Sequence, residues 1–370
     1  MKIAVVGEVN SSNLGDQAIF LGLQSYLNNS NTVVSLDLSG RKSKTGWQNN
    51  TKKKVQRNFP GFIYRFYFLI TTVIKFLSQI QVISKQIKEC QLIIFGGGSL
   101  LIDNNLSFPS KLFLFSILSR FHKKKYVVVG CSTRPVLNII ARFMLGYFLN
   151  GASKIGLRDY KSLELCEINN RGKCNFTPDS ALLLSPSIVD GVGRVNNSKI
   201  VGINVMSPQK HGFFSDIYEF EKYMAVIKEL ASRLVGCKVI IFTTGDFADN
   251  DFVTDRFAHE FDVFIPHSLD DLTDFFSSVD RVYATRLHAL IISISQGIIP
   301  YSLAWDDKIT GFIDTYELTD FSTDLRMSRV DIADMIDYSK RPMNGSDTVL
   351  VTDIKNDIKY RYDLFFGDLC

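Results

Sequence analysis

The sequence predicts an α/β chain of two Rossmann-like parallel-sheet halves with a helix at the end, on three observations. The first is length: 370 residues exceed what one hydrophobic core ordinarily supports, so two domains are expected. The second is the alternation of short apolar runs with amphipathic stretches. That pattern builds parallel sheets with helices on both faces. The third is a change of composition around 185–198, "SPSIVDGVGRVNNS". It is rich in Ser, Gly, Asn and Pro, and a second alternating set begins after it.

In the first half, apolar strand-like runs fall at 2–6, 32–36, 90–98, 125–131 and 152–159. Helical spacing fills 16–28, 62–88, 110–122, 136–150 and 160–168. The second half opens with strand 199–206, helix 216–235, strand 237–244, helix 249–260 and the short strand "DVFIPH". Helix 269–278, strand 281–285, helix 287–296 and strand 298–304 follow, and "DTVLVTDIKNDIKYRYDLFFG" reads as a last helix. The expected domains are therefore 1–190, 198–340 and a C-terminal helix within 345–370 that packs back on the first domain. Two such halves facing across a cleft form the GT-B arrangement. In open α/β sheets the loops after the strands line the ligand site.

Composition excludes several classes. Hydrophobic residues make up 46% and charged residues 22%, as in ordinary globular proteins. The net charge of +4 is mild, and no interleaved Arg/aromatic pattern points to nucleic acid. Cys90, Cys131, Cys166, Cys174, Cys237 and Cys370 form no CxxC pair. They read as reduced thiols in a cytoplasmic protein rather than a disulfide frame or zinc site. The N-terminus runs directly into a strand, so no signal peptide is expected. The segment 62–80 is the most membrane-like, but Arg65 and Lys75 leave nine uncharged residues between them, far short of the ~20 needed to span. With Lys52, Lys53, Lys54 and Arg57 beside it, this stretch has two readings. One is a packed helix with a solvated basic flank; the other is peripheral contact with an anionic membrane surface through residues 52–80.

Six loops could carry chemistry. The opening "VVGEVNSSNLGDQAIFLGL" places only Gly7 and Gly15 between strand and helix. That is neither a GxGxxG fingerprint nor a P-loop. Asn13 and Asp16 suit a helix start for capping reasons alone. In "IIFGGGSLLID", Gly96, Gly97 and Gly98 follow a buried strand, and Ser99 adds a hydroxyl. Three glycines exceed what a tight connection uses and let a ligand approach backbone, with a following helix N-terminus suited to an anion. "GLRDYKSLEL" puts Arg158 at a strand end, either as a bidentate anion ligand or paired with its neighbour Asp159. Pro178-Asp179 reads as a turn and helix cap. The sharpest signal is "RVYATRLHALIISISQGIIP": Arg286 can hold an anion while His288, titrating near neutrality, moves a proton. "LAWDDKITGF" then adds Lys308 as a further cation. No metal-ligand spacing is visible.

Taken in order, Asn13, Gly15, Asp16, Ala18 and Ile19, the glycine triplet, Arg158-Asp159 with Ser162, Pro178-Asp179, Arg286-Leu-His288-Ala and Asp307-Lys308 resemble the polysaccharide pyruvyl transferase family. The resemblance runs from about residue 3 to about residue 314. Arg134 before Pro135, and Ser99 after the glycines, depart from the family pattern. The resemblance implies a GT-B-like fold and transfer of a pyruvyl unit from phosphoenolpyruvate to a sugar, forming a cyclic ketal. It implies a donor side in the second domain and an acceptor side in the first. Arg158, Arg286 and Lys308 then hold the donor, His288 is the general acid/base, and Asp16 orients or deprotonates the acceptor hydroxyl. The acceptor is a surface-polysaccharide sugar or its polyprenyl-linked precursor; phosphoenolpyruvate is a co-substrate, with no other cofactor and no metal. Two other readings stand beside it: a GT-B glycosyltransferase using a nucleotide sugar, and a non-catalytic sugar-binding or scaffold protein of polysaccharide assembly.

Overall fold

The computed structural model describes residues 1–28, 31–41, 61–103, 106–168, 170, 172–186, 199–208, 217–327, 330–341, 345–367 and 369. The chain clusters into two units. The first comprises Met1–Ser11, Ile19–Ser180 and Tyr360–Cys370; the second comprises Ser12–Ala18 and Ala181–Lys359. The basic run Lys52–Lys54 with Arg57, and nearly all of the 185–198 stretch, lie outside the described residues.

In the first unit, β1 (Lys2–Gly7), β2 (Thr32–Asp37), β3 (Leu92–Leu101), β4 (Lys125–Thr133), β5 (Ile155–Leu157) and β6 (Cys174–Phe176) form one sheet. Its order is β2-β1-β3-β4-β5-β6, parallel throughout. The connecting helices are α1 (Leu14–Asn28, its residues up to Ala18 counted with the second unit), α2 (Gly61–Glu89), α3 (Ser107–Phe121), α4 (Ile139–Gly151) and α5 (Tyr160–Glu167). Ala4, Val6, Ile93, Phe95 and Val128 face a core shared with Phe76 and Ile83 of α2, Phe115 of α3 and Phe148 of α4. The alternate strand residues Ile3, Val5, Ile94 and Val127 are equally buried. A parallel sheet covered on both faces needs apolar residues at every position, which is why "KIAVV" and "LIIF" show no polar alternation.

The second unit holds β7 (Lys199–Asn204), β8 (Cys237–Phe242), β9 (Asp262–Phe264), β10 (Arg281–Ala284), β11 (Tyr301–Ala304) and β12 (Ser322–Asp324). They are also all parallel, in the order β12-β11-β10-β7-β8-β9. The helices are α6 (Ile217–Arg233), α7 (Phe247–Phe257), α8 (Leu269–Ser278), α9 (Leu287–Ser295), α10 (Asp307–Thr315), α11 (Ala333–Lys340) and α12 (Gly345–Phe366), the last of which is counted with the first unit from Tyr360 onward. Their starts are written locally. Asp246 caps α7, Asp306 caps α10, and Ser268 with Asp271 makes a reciprocal capping box on α8, satisfying first-turn N–H groups. Two parallel six-stranded α/β sheets give the GT-B class expected from the sequence. The strand order reverses between β7 and β10, and such a switch point is where open α/β sheets bind ligands, beyond the carboxyl ends of the strands.

Some elements differ from expectation. The edge strands β6 and β12, with no fully buried position, and helix α11 were not expected from the sequence. The glycine triplet does not follow its strand but lies within β3, with Gly96 opposite Val129 and Gly98 opposite Cys131. No helix begins there; α3 starts at Ser107.

Candidate active site

At the switch point of the second sheet, Asn204 ends β7 and Ala284 ends β10. The fully buried Asn204 side chain ties three strand ends together. Its Oδ1 accepts from the Arg286 backbone N at 3.0 Å and from the Thr285 hydroxyl at 3.4 Å. Its Nδ2 donates to the Phe242 carbonyl at 3.2 Å. The Trp305 indole donates to the Thr285 carbonyl at 2.6 Å, fixing the same turn from β11. The backbone that carries Arg286 and His288 is thereby held on both sides.

The Arg286 guanidinium does not stand alone. Its Nε donates to Asp249 Oδ2 at 2.8 Å, and Nη2 binds the same oxygen. Asp249 is fully buried in the first turn of α7 and also accepts from the Ser207 backbone N at 2.8 Å. A buried carboxylate thus aims the guanidinium and offsets its charge, while the Arg286 side chain stays 18% exposed. His288 lies in the first turn of α9, and its ring packs flat on Gly15. A Cβ added at Gly15 would fall 2.1 Å from His288 Nδ1. Asn13 accepts from the Gly15 backbone N at 2.9 Å, the capping role open to it in the sequence. Asp16 follows in the same first turn of α1. The opening loop and the Arg-Leu-His turn therefore meet within one unit. Lys308 sits exposed in the first turn of α10, where Asp306 Oδ1 caps its backbone N at 3.1 Å.

A second polar cluster occupies the carboxyl ends of β3 to β6 in the first unit. Arg158 Nη1 pairs with Asp179 at 2.5 Å, the two side chains being 7% and 3% exposed. Arg158 Nη2 donates to Ser132 Oγ at 3.2 Å and Ser99 Oγ at 3.4 Å. The neighbour Asp159 is not the partner of Arg158; its carboxylate caps α5 through the Ser162 N–H. Successive residues at a strand end point to opposite sides, so the bond to Asp159 is geometrically disfavoured. Burial pushes the Cys131 thiol beside this cluster up to about 12, which keeps it protonated and inert at neutral pH.

Packing accounts for two of the three glycines. A Cβ at Gly96 would press on Leu23 and one at Gly97 on Ile19, both from α1. Gly97 and Gly98 adopt φ of +77° and +74°, the left-handed region that favours glycine. Sequence reasoning missed Asn204, Asp249 and Ser132, and no local signal marks them. It also missed a network at the ends of β1 and β2, where Arg41 binds Glu8 and Asp37 and Lys111 donates to Ser39 at 2.7 Å. A cavity of about 150 Å³ adjoins it, and burial holds the Lys111 ammonium below its usual range. Among the described residues, no three His, Cys, Asp or Glu side chains gather as a metal site requires.

Comparison with known proteins agrees with this architecture. Solved structures similar over the whole chain include the UDP-GlcNAc 2-epimerase of Neisseria meningitidis bound to UDP-GlcNAc, at 12% identity and a TM-score of 0.56, covering 100% of this chain and 99% of that one. A trehalose-6-phosphate synthase matches at 11% identity and a TM-score of 0.56, with coverage of 100% and 99%. The UDP-GlcNAc 2-epimerase of Methanocaldococcus jannaschii matches at 9% and 0.53, with 97% and 100%. At such identities the likeness is one of fold. Among curated proteins none matches the sequence. The family model for polysaccharide pyruvyl transferase matches residues 13–307, a span that runs from the Asn13 cap through the Arg286–His288 turn. The chain belongs to the polysaccharide pyruvyl transferase family.

Proposed function

We propose that this transferase moves the pyruvyl unit of phosphoenolpyruvate onto two hydroxyls of a sugar, in a surface polysaccharide or its lipid-linked precursor. The reading is carried by one observation: a histidine, ring against the Gly15 backbone, two residues from an arginine aimed by a buried aspartate, at a sheet's switch point. The reaction needs a proton delivered to the methylene carbon of the donor, one sugar oxygen added at C2, inorganic phosphate expelled, and a second sugar oxygen closing the ketal. Of the two hydroxyl protons lost, one ends on the new methyl group and one leaves with phosphate. His288 is suited to relay them, because imidazole titrates near neutral pH. Arg286 offers planar N–H donors to the phosphate or carboxylate, with Lys308 as a second cation. Since Asp249 offsets its charge, Arg286 works through directed hydrogen bonds more than through net attraction. Asp16, on the Gly15 turn, is the candidate to orient the acceptor hydroxyl.

The test is turnover of purified protein with phosphoenolpyruvate and a sugar acceptor, following inorganic phosphate release and ketal product by mass spectrometry. His288→Asn is expected to lower turnover by ~10²-fold or more while leaving donor affinity nearly intact. A folded variant with near wild-type turnover would assign the proton to another group. A nucleotide-sugar reaction is the second reading, favoured by the epimerase and synthase likenesses; release of nucleotide rather than inorganic phosphate would select it.

A further inference from the structure

Helices α2, α3 and α4 pack side by side on one face of the first sheet. Their inward residues fill the core, yet their outward stripes are also apolar. On α2, Ile70, Ile74 and Leu77 recur at i, i+4 and i+7 and are 44%, 60% and 54% exposed. Phe121 at the end of α3 is 77% exposed, and Ile139 and Phe143 of α4 are 78% and 66% exposed. Single exposed hydrophobics are ordinary, but a run of them across three adjacent helices marks a surface that meets something apolar.

Charge indicates what. The three helices hold seven basic residues, with Lys75, Lys85, Lys88 and Arg142 among those exposed, against one acidic residue, Glu89. Glu89 is itself bonded to Lys2 at 2.6 Å. The stretches 61–88, 106–125 and 134–154 contain no Asp or Glu at all, although the chain has 38. Docking this face on its own copy would set basic against basic, whereas an anionic bilayer complements both the charge and the apolar stripes. Among the described residues no helix is long and apolar enough to cross a membrane.

We propose that the α2–α3–α4 face of the first unit docks on a membrane surface rich in anionic phospholipid. Ile74 and Phe143 enter the headgroup boundary while Lys75 and Arg142 meet phosphates. The contact reaches beyond residues 52–80 to three helices, and it does not rest on the chemistry assigned to the second unit.

The experiment is flotation of the full chain with phosphatidylglycerol or phosphatidylcholine vesicles, with thermal melts as a check on folding. Binding to phosphatidylglycerol is expected to exceed binding to phosphatidylcholine by about tenfold and to weaken with salt. The exposed double substitution Ile74→Asp with Phe143→Asp should lower it about tenfold with the melt unchanged. As a direct readout, the indole introduced by Phe143→Trp should shift to the blue on phosphatidylglycerol vesicles. Absence of binding, binding indifferent to the double substitution, or an unshifted indole would each overturn the proposal. A dimer in sedimentation velocity that the double substitution converts to monomer would instead assign the face to a second copy.

Discussion

Gly15 is the residue on which the candidate site turns. In a helix, glycine replaced by alanine ordinarily gains about 0.5–1 kcal/mol. At this position the new methyl would enter the imidazole of His288, 2.1 Å from Nδ1, so the ring must move. Gly15→Ala is therefore expected to forfeit that gain and to lower turnover by about 10²-fold, the cost of a misplacement of about 1 Å, in a chain that still folds. Wild-type turnover in Gly15→Ala would show that Gly15 does not set the ring's place. The same scale shows what the sequence withheld. Arg158 and Arg286 were legible as cations at strand ends, but their carboxylate partners were not. Asp179 is 21 positions and Asp249 is 37 positions away, and no spacing rule links them. Only the chain's path brings each pair together, and each pair turns an expected net positive charge into a directed, charge-balanced donor.

Among the elements, β3 departs most from its expected reading. Its glycines looked like a ligand-approach loop, yet the strand runs through them and α1 lies against them. The two causes separate experimentally. Gly98→Ala meets only backbone strain, since its Cβ would sit 3.6 Å from Ile19 Cδ1, and should cost about 1–2 kcal/mol. Gly97→Ala carries the same strain and also drives a methyl to 1.8 Å from Ile19 Cγ2, so its loss should be larger. Combining Gly97→Ala with Ile19→Ala should cost less than the sum of the two single changes, because they share the contact. Urea midpoints of the wild type and the four variants check this. Equal losses at Gly97 and Gly98 would leave backbone strain as the whole explanation.

Across the whole molecule, large aromatic residues fill both cores, and several are tyrosines. Burial pushes the Tyr126 phenol up to about 12 in the first unit. In the second unit burial raises Tyr223, Tyr283 and Tyr338 further. The free phenol titrates near 10, so above that pH the unfolded chain loses protons that the native state keeps. Their contribution to stability is full below about pH 10 and declines as pH rises through the folded values. Melting temperature should fall as pH rises above 10, with the last of the phenolate absorbance appearing together with unfolding. A chain still folded by circular dichroism in which every tyrosine has become phenolate near pH 10 would contradict this burial. Tyr283→Phe should flatten the alkaline fall, since it removes one such group.

By itself the sequence determined the α/β class, the two-sheet organisation, most helix and strand positions, and the loops that carry Asn13, Gly15, Asp16, Arg286 and His288. These properties are local: apolar periodicity reports which faces are covered, and Ser, Asp and Asn before a helix report its start. The tertiary structure alone decided that Gly15 meets His288, that Asp249 aims Arg286, that Asp179 takes Arg158 from Asp159, and that Ile19 and Leu23 fill the space above Gly97 and Gly96. The edge strands β6 and β12 also waited for it, because none of their three residues is fully buried and no apolar run marks them. The physical reason is strand order. Placing β7 beside β10, and β1 beside β3, joins loops far apart in sequence, and that adjacency is set by the packing of whole helices across the sheets rather than by any residue's own preference.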